Sequence, residues 1–161
     1  MLFYRRIKRE DFGGRLLVNK GDGIMVEKIT LMETYLIEHL RQAGFSDESI
    51  IEKVESGRAA DFQEVHENFD FTQLHALSDK IVTLLTEGYE IKFLTFTGLV
   101  NLLQLMFHKE ENVDYDVDEF IVSKLQLTEE QLKTLQQIVS ANWQISTSNT
   151  GVTITPVHAP A

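Results

Sequence analysis

Glu90-Ile-Lys-Phe-Leu-Thr-Phe-Thr-Gly-Leu-Val-Asn-Leu-Leu-Gln-Leu-Met-Phe-His108 is the most apolar stretch of the chain, and its reading decides the fold. Phe93, Phe96, Val100, Leu103 and Phe107 recur on one helical face. Ile91, Leu94, Leu99, Leu102 and Met106 widen that face nearly all round. A strand competes at the start, where Tyr89, Ile91 and Phe93 alternate with Glu90 and Lys92. The alternation breaks at Phe93–Leu94, whereas the helical period runs on to Phe107. The stretch therefore reads as one helix over 91–108, buried on most sides.

Upstream, the helical pattern begins at Val26, with Ile29, Met32, Leu36, Leu40 and Ala43 at steps of three and four. Gly44 is a natural stop. Ser46 is an N-cap, with Asp47 and Glu48 facing the dipole and Phe45 placed to staple Ile50. This second helix ends near Gly57, and residues 58–67 are weakly helical. Asp70 caps a further helix whose stripe is Phe71, Leu74, Leu77, Ile81 and Leu84, ending at Gly88. Downstream, Asp116 with Glu119 has capping-box spacing ahead of Phe120, Ile121 and Leu125. Thr128 with Gln131 is a second box, followed by Leu132, Leu135, Ile138, Val139 and Trp143. From Ile145 to Val157 the chain is rich in Thr, Ser and Val. Asn149-Thr150-Gly151 is a turn, so this part reads as a small hairpin or extended tail.

The chain has 161 residues, of which 43% are apolar and 25% charged. That describes one soluble globular domain, large enough to fold without disulfides or metal. The absence of cysteine excludes disulfide scaffolds, Cys-ligated zinc, iron–sulfur clusters and cysteine catalysis. No apolar run reaches the roughly 20 residues of a membrane span. A net charge of −10 argues against nucleic acid as a partner. Residues 1–24 differ from the rest, with Arg5, Arg6, Lys8, Arg9, Arg15 and Lys20 against Glu10, Asp11 and Asp22. They read as a basic arm for an acidic partner or lipid surface, or as a disordered extension. A third reading makes Met25 the natural start, because codons for Lys20-Gly21-Asp22-Gly23 can spell a ribosome-binding stretch.

The chain names no reaction. Asp114-x-Asp116-x-Asp118 starts like a calcium loop, but the sixth position is Glu119 and the twelfth Leu125. His39, His66, His75, His108 and His158 contain no i, i+4 pair, so there is no zinc motif. A haem needs only one histidine, and His75 and His108 lie on or beside the most apolar helices. No nucleophile elbow or phosphate-binding glycine loop is present. The reading is therefore a non-enzyme. One constellation remains. Thr97, Asn101, Gln104 and His108 recur at steps of four, three and four, forming a polar stripe on an apolar rod. The stripe either faces solvent or lines a polar chamber. In the chamber reading Phe71, Phe93, Phe96, Met106 and Phe107 supply apolar walls and Asn101, Gln104 or His108 meets a head group. The competing reading of the aromatics is a solid core.

The order and character of the segments from Asp70 to Trp143, with Tyr89-Glu-Ile-Lys-Phe-Leu-Thr-Phe-Thr-Gly-Leu99 at their centre, resembles the haem-free, globin-like sensor domains of sporulation sensor histidine kinases. The likeness covers residues 26–143 and assigns no individual residue. It implies an all-α, globin-like helical bundle over 25–143, with residues 144–161 as the tail. It also implies a fatty acid or similar lipid in the pocket in place of haem, and no other cofactor. The chain would be a cytoplasmic, homodimeric, stand-alone domain that modulates a sporulation histidine kinase. The alternative from the residues alone is a small acidic helical adaptor, or antitoxin-like protein, binding a basic partner protein. A haem globin using His75 or His108 is a third expectation.

Overall fold

The computed structural model describes residues 26–158, so the basic segment 1–24 lies outside the described residues. The chain divides into two compact units, the first ending at Tyr89 and the second starting at Glu90.

Among the described residues, the first unit is helical apart from a short strand, β1 (Lys28–Ile29). Helix α1 (Leu31–Gln42) opens on a capping box. Glu33 N–H donates to Thr30 Oγ1 at 3.0 Å, and Thr30 N–H donates to Glu33 Oε1 at 2.9 Å. Gly44, at φ +99°, ends it in a conformation a side chain would resist. Helix α2 (Asp47–Glu55) starts at Ser46, whose Oγ accepts from Ser49 N–H. Two 3-10 segments follow, Ala59–Val65 and Phe71–Leu77, and then helix α3 (Ile81–Glu87). The single helix expected from Asp70 to Gly88 is therefore divided. Its first three apolar positions, Phe71, Leu74 and Leu77, stand at strict steps of three, the 3-10 period. All three are buried, together with Leu36, Ile37, Leu40, Ile50, Phe62, Ile81 and Leu84.

The second unit corrects the all-α, globin-like bundle: the fold is mixed α/β. It contains β2 (Glu90–Ile91), helix α4 (Phe96–Phe107), β3 (Asp116–Asp118), β4 (Ile121–Leu125), helix α5 (Glu129–Ile138), β5 (Trp143–Ser148) and β6 (Gly151–Pro156). The last four strands form an antiparallel sheet in the order β3-β4-β6-β5. The helix expected after Asp116 is instead the β3–β4 hairpin. Val117, Ile121 and Val122 are β-branched, and Val122 pairs with Val117 on one side and Ile154 on the other. The hairpin expected after Trp143 is present, but it is no appendage. Strand β6 lies inside the sheet, with Val152 and Ile154 buried beside Val122 and Leu125.

The apolar stretch is also divided. Helix α4 begins only at Phe96, where Gly98 N–H donates to Thr95 Oγ1 at 3.0 Å. Before it, Leu94 is fully buried and its peptide is held by side chains. Its N–H donates to Ser140 Oγ at 2.9 Å. Its carbonyl accepts from Asn142 Nδ2 at 3.0 Å and from Trp143 Nε1 at 2.6 Å. Three residues following α5 thus satisfy the backbone groups that a helix through Leu94 would have used.

Candidate functional site

The residues expected to line a pocket fall in both units. Phe71 belongs to the core of the first unit, with its ring 6.3 Å from those of Phe62 and Phe69. The others lie in the second unit. Thr97, Asn101, Gln104 and His108 form the expected stripe, and every one is exposed. His108 also ends α4 in the left-handed region (φ 59°, ψ 37°), its N–H donating to Gln104 and Leu103 carbonyls. Met106 and Phe107 are half-buried, while Phe93 is 61% exposed.

In the second unit, Phe96 has a defined aromatic setting. At the first turn of α4, its half-buried ring meets Phe120 edge-on at 5.5 Å and Trp143 at 6.4 Å. Phe120 occupies the tip of the β3–β4 hairpin. Asp118 pairs with Ile121, so Glu119 and Phe120 are the two turn residues. Glu119 has φ +59°, a first-position geometry normally left to glycine in tight hairpins. The tip therefore exposes an apolar pair, Phe120 at 43% and Ile121 at 39%. Carboxylates flank it. Asp116 meets Lys124 at 3.5 Å, whereas Asp118 and Glu119 have no ion-pair partner among the described residues. Toward the other end of β3, the buried Tyr115 hydroxyl has no hydrogen-bond partner among the described residues, and burial, with Glu111 and Asp114 beside it, raises its pKa.

The aspartates of the calcium-like sequence are spread along this loop and strand. Asp114 Oδ2 accepts from Glu110 N–H at 2.8 Å, and Asp116 and Asp118 are exposed on β3. Among the described residues no group of three or more His, Asp or Glu is placed to hold a metal ion. His75 is half-buried, and its Nε2 accepts from Ala59 N–H at 3.1 Å.

Two clusters of the first unit escaped sequence reasoning. Tyr89 donates to Glu38 Oε2 at 2.7 Å, and Arg41 bridges that same oxygen at 3.1 Å to Asp47 at 3.0 Å. Burial, aided by Glu38, pushes the Tyr89 hydroxyl well above the usual tyrosine range. Burial opposes the Arg41 charge, but Glu38 and Asp47 outweigh it and raise its pKa. Separately, His39 and His66 approach to 5.2 Å, with the His66 ring stacked on Phe69 at 4.1 Å. Only the i, i+3 spacing of Glu38 and Arg41 was visible in the sequence. The other partners come from different elements.

Compared with known proteins, the chain matches no family model, no curated protein and no solved structure.

Proposed function

We propose that this protein is a small acidic adaptor that binds a basic partner protein through the β3–β4 tip. The observation supporting this is the exposed apolar pair Phe120–Ile121 beside the carboxylates Asp118 and Glu119, which have no ion-pair partner among the described residues. An aromatic anchor within a charged rim is the arrangement that protein interfaces use. The net charge of −10 adds long-range attraction for a cationic partner. The lipid reading sets Asn101, Gln104 or His108 beside a head group, and all three are exposed.

The test is a calorimetric titration with an amphipathic Lys/Leu peptide. Phe120→Ala should weaken binding by about 2 kcal/mol, the scale of an interface hot spot. Asp118→Asn with Glu119→Gln should weaken binding at low salt and flatten its salt dependence. Equal affinity for wild type and both variants would refute the reading. A melting temperature that rises with fatty-acid chain length, unaffected by Phe120→Ala, would favour the lipid reading instead.

A further inference from the structure

The sheet has two edges of opposite character. At one, β3 is three residues long and carries Asp116 and Asp118, the short and charged form that deters pairing with another chain. At the other, β5 is six residues long and uncharged. The hairpin it belongs to contains no Asp, Glu, Lys or Arg from Trp143 to Val157, although a quarter of the chain is charged.

Hydrogen bonding along that hairpin identifies the groups facing outward. Val157 N–H donates to the Asn142 carbonyl at 2.9 Å, so residues 142 and 157 form a bonded pair. Bonded and non-bonded pairs alternate along an antiparallel ladder. From the register, 144 with 155, 146 with 153 and 148 with 151 are therefore bonded, and 145 with 154 and 147 with 152 are not. The N–H and C=O groups of Ile145 and Thr147 thus point away from β6. Gln144, Ser146, Thr147 and Ser148 are exposed.

We infer that this edge pairs with the same edge of a second copy, β5 against β5 across a two-fold axis. The local charge argues for a copy. The strand places no carboxylate opposite its own image, and it offers a basic partner nothing to neutralise. In the register centred on Ser146, Ile145 of each copy exchanges two hydrogen bonds with Thr147 of the other. That register satisfies all four outward groups on each chain. It sets Ser146 opposite Ser146 as a non-bonded pair, with Cα atoms about 4.5 Å apart.

Sedimentation equilibrium of the full chain at several concentrations and salt levels tests the inference. The mass should rise with concentration from 18.5 kDa to twice that value. Salt should strengthen the dimer, because it screens the repulsion between two acidic chains. Ser146→Lys and Ser146→Glu should each weaken it roughly fivefold or more, the effect of two like charges about 4 Å apart in water. Mixing the two variants should restore the dimer. Thr147→Pro, which removes an outward N–H, should also favour the monomer, with circular dichroism reporting its fold. A monomer at every concentration overturns the inference. So does a dimer unaffected by Ser146→Lys and Ser146→Glu.

Discussion

Replacing Ser140 by alanine should destabilise the second unit by about 1–3 kcal/mol, the cost of leaving one buried donor unmet. Leu94 and Ser140 are both buried, and Ser140 Oγ accepts the Leu94 N–H at 2.9 Å. No other partner of that N–H exists among the described residues. The Leu94 carbonyl is different, because Asn142 Nδ2 and Trp143 Nε1 both donate to it. Asn142→Ala leaves the indole bond in place, so it should cost only about 0.5–1.5 kcal/mol, the net value of one hydrogen bond. Ser140 also contacts Asn142 directly, so the two substitutions should couple. Urea denaturation followed by Trp143, the single tryptophan, reads this unit directly. Amide exchange at Leu94 gives a second measure, since Ser140→Ala should abolish its protection. The reasoning fails if Ser140→Ala is neutral, or if Asn142→Ala costs the more of the two.

In the first unit, Arg41→Met should cost about 3–5 kcal/mol by leaving Glu38 buried without its cation, as measured by denaturant titration. Tyr89 has a folded pKa raised above the ordinary value of 10.0, so its contribution is complete below that pH and is lost as pH rises from there. Tyr89→Phe should therefore remove part of the alkaline loss of stability seen in thermal melts between neutral pH and pH above about 10. Gly151→Ala should destabilise the sheet by more than about 1 kcal/mol, measured by thermal melting. Its added Cβ would lie 2.8 Å from the Leu125 carbonyl, at a φ of +134°.

Several local signals in the sequence were accurate. The caps at Ser46, Asp70 and Thr128 all form, with Thr128 Oγ1 accepting from Gln131 N–H at 3.1 Å. Gly44 and Gly88 end their helices, and Asn149–Thr150 turns the last hairpin. What the sequence concealed depends on distant residues. Leu94 leaves the helical period because its peptide binds side chains 46 to 49 positions away. The spacing of Asp116 and Glu119 imitates a capping box, but Val117 and Val122 find strand partners and the sheet prevails. The polar stripe on α4 is real, yet a helix pattern alone does not say which face others will cover. Phe96 was legible as a candidate. Its partner Phe120 was not, because a residue read as helix interior is in fact a hairpin tip.

Amide chemical-shift mapping with the Lys/Leu peptide tests the central claim most directly. The account predicts shifts concentrated at residues 116–121 and at Phe96, growing as salt is lowered and vanishing in Phe120→Ala. Shifts centred on Asn101, Gln104 and His108, or no shifts at all, would contradict it.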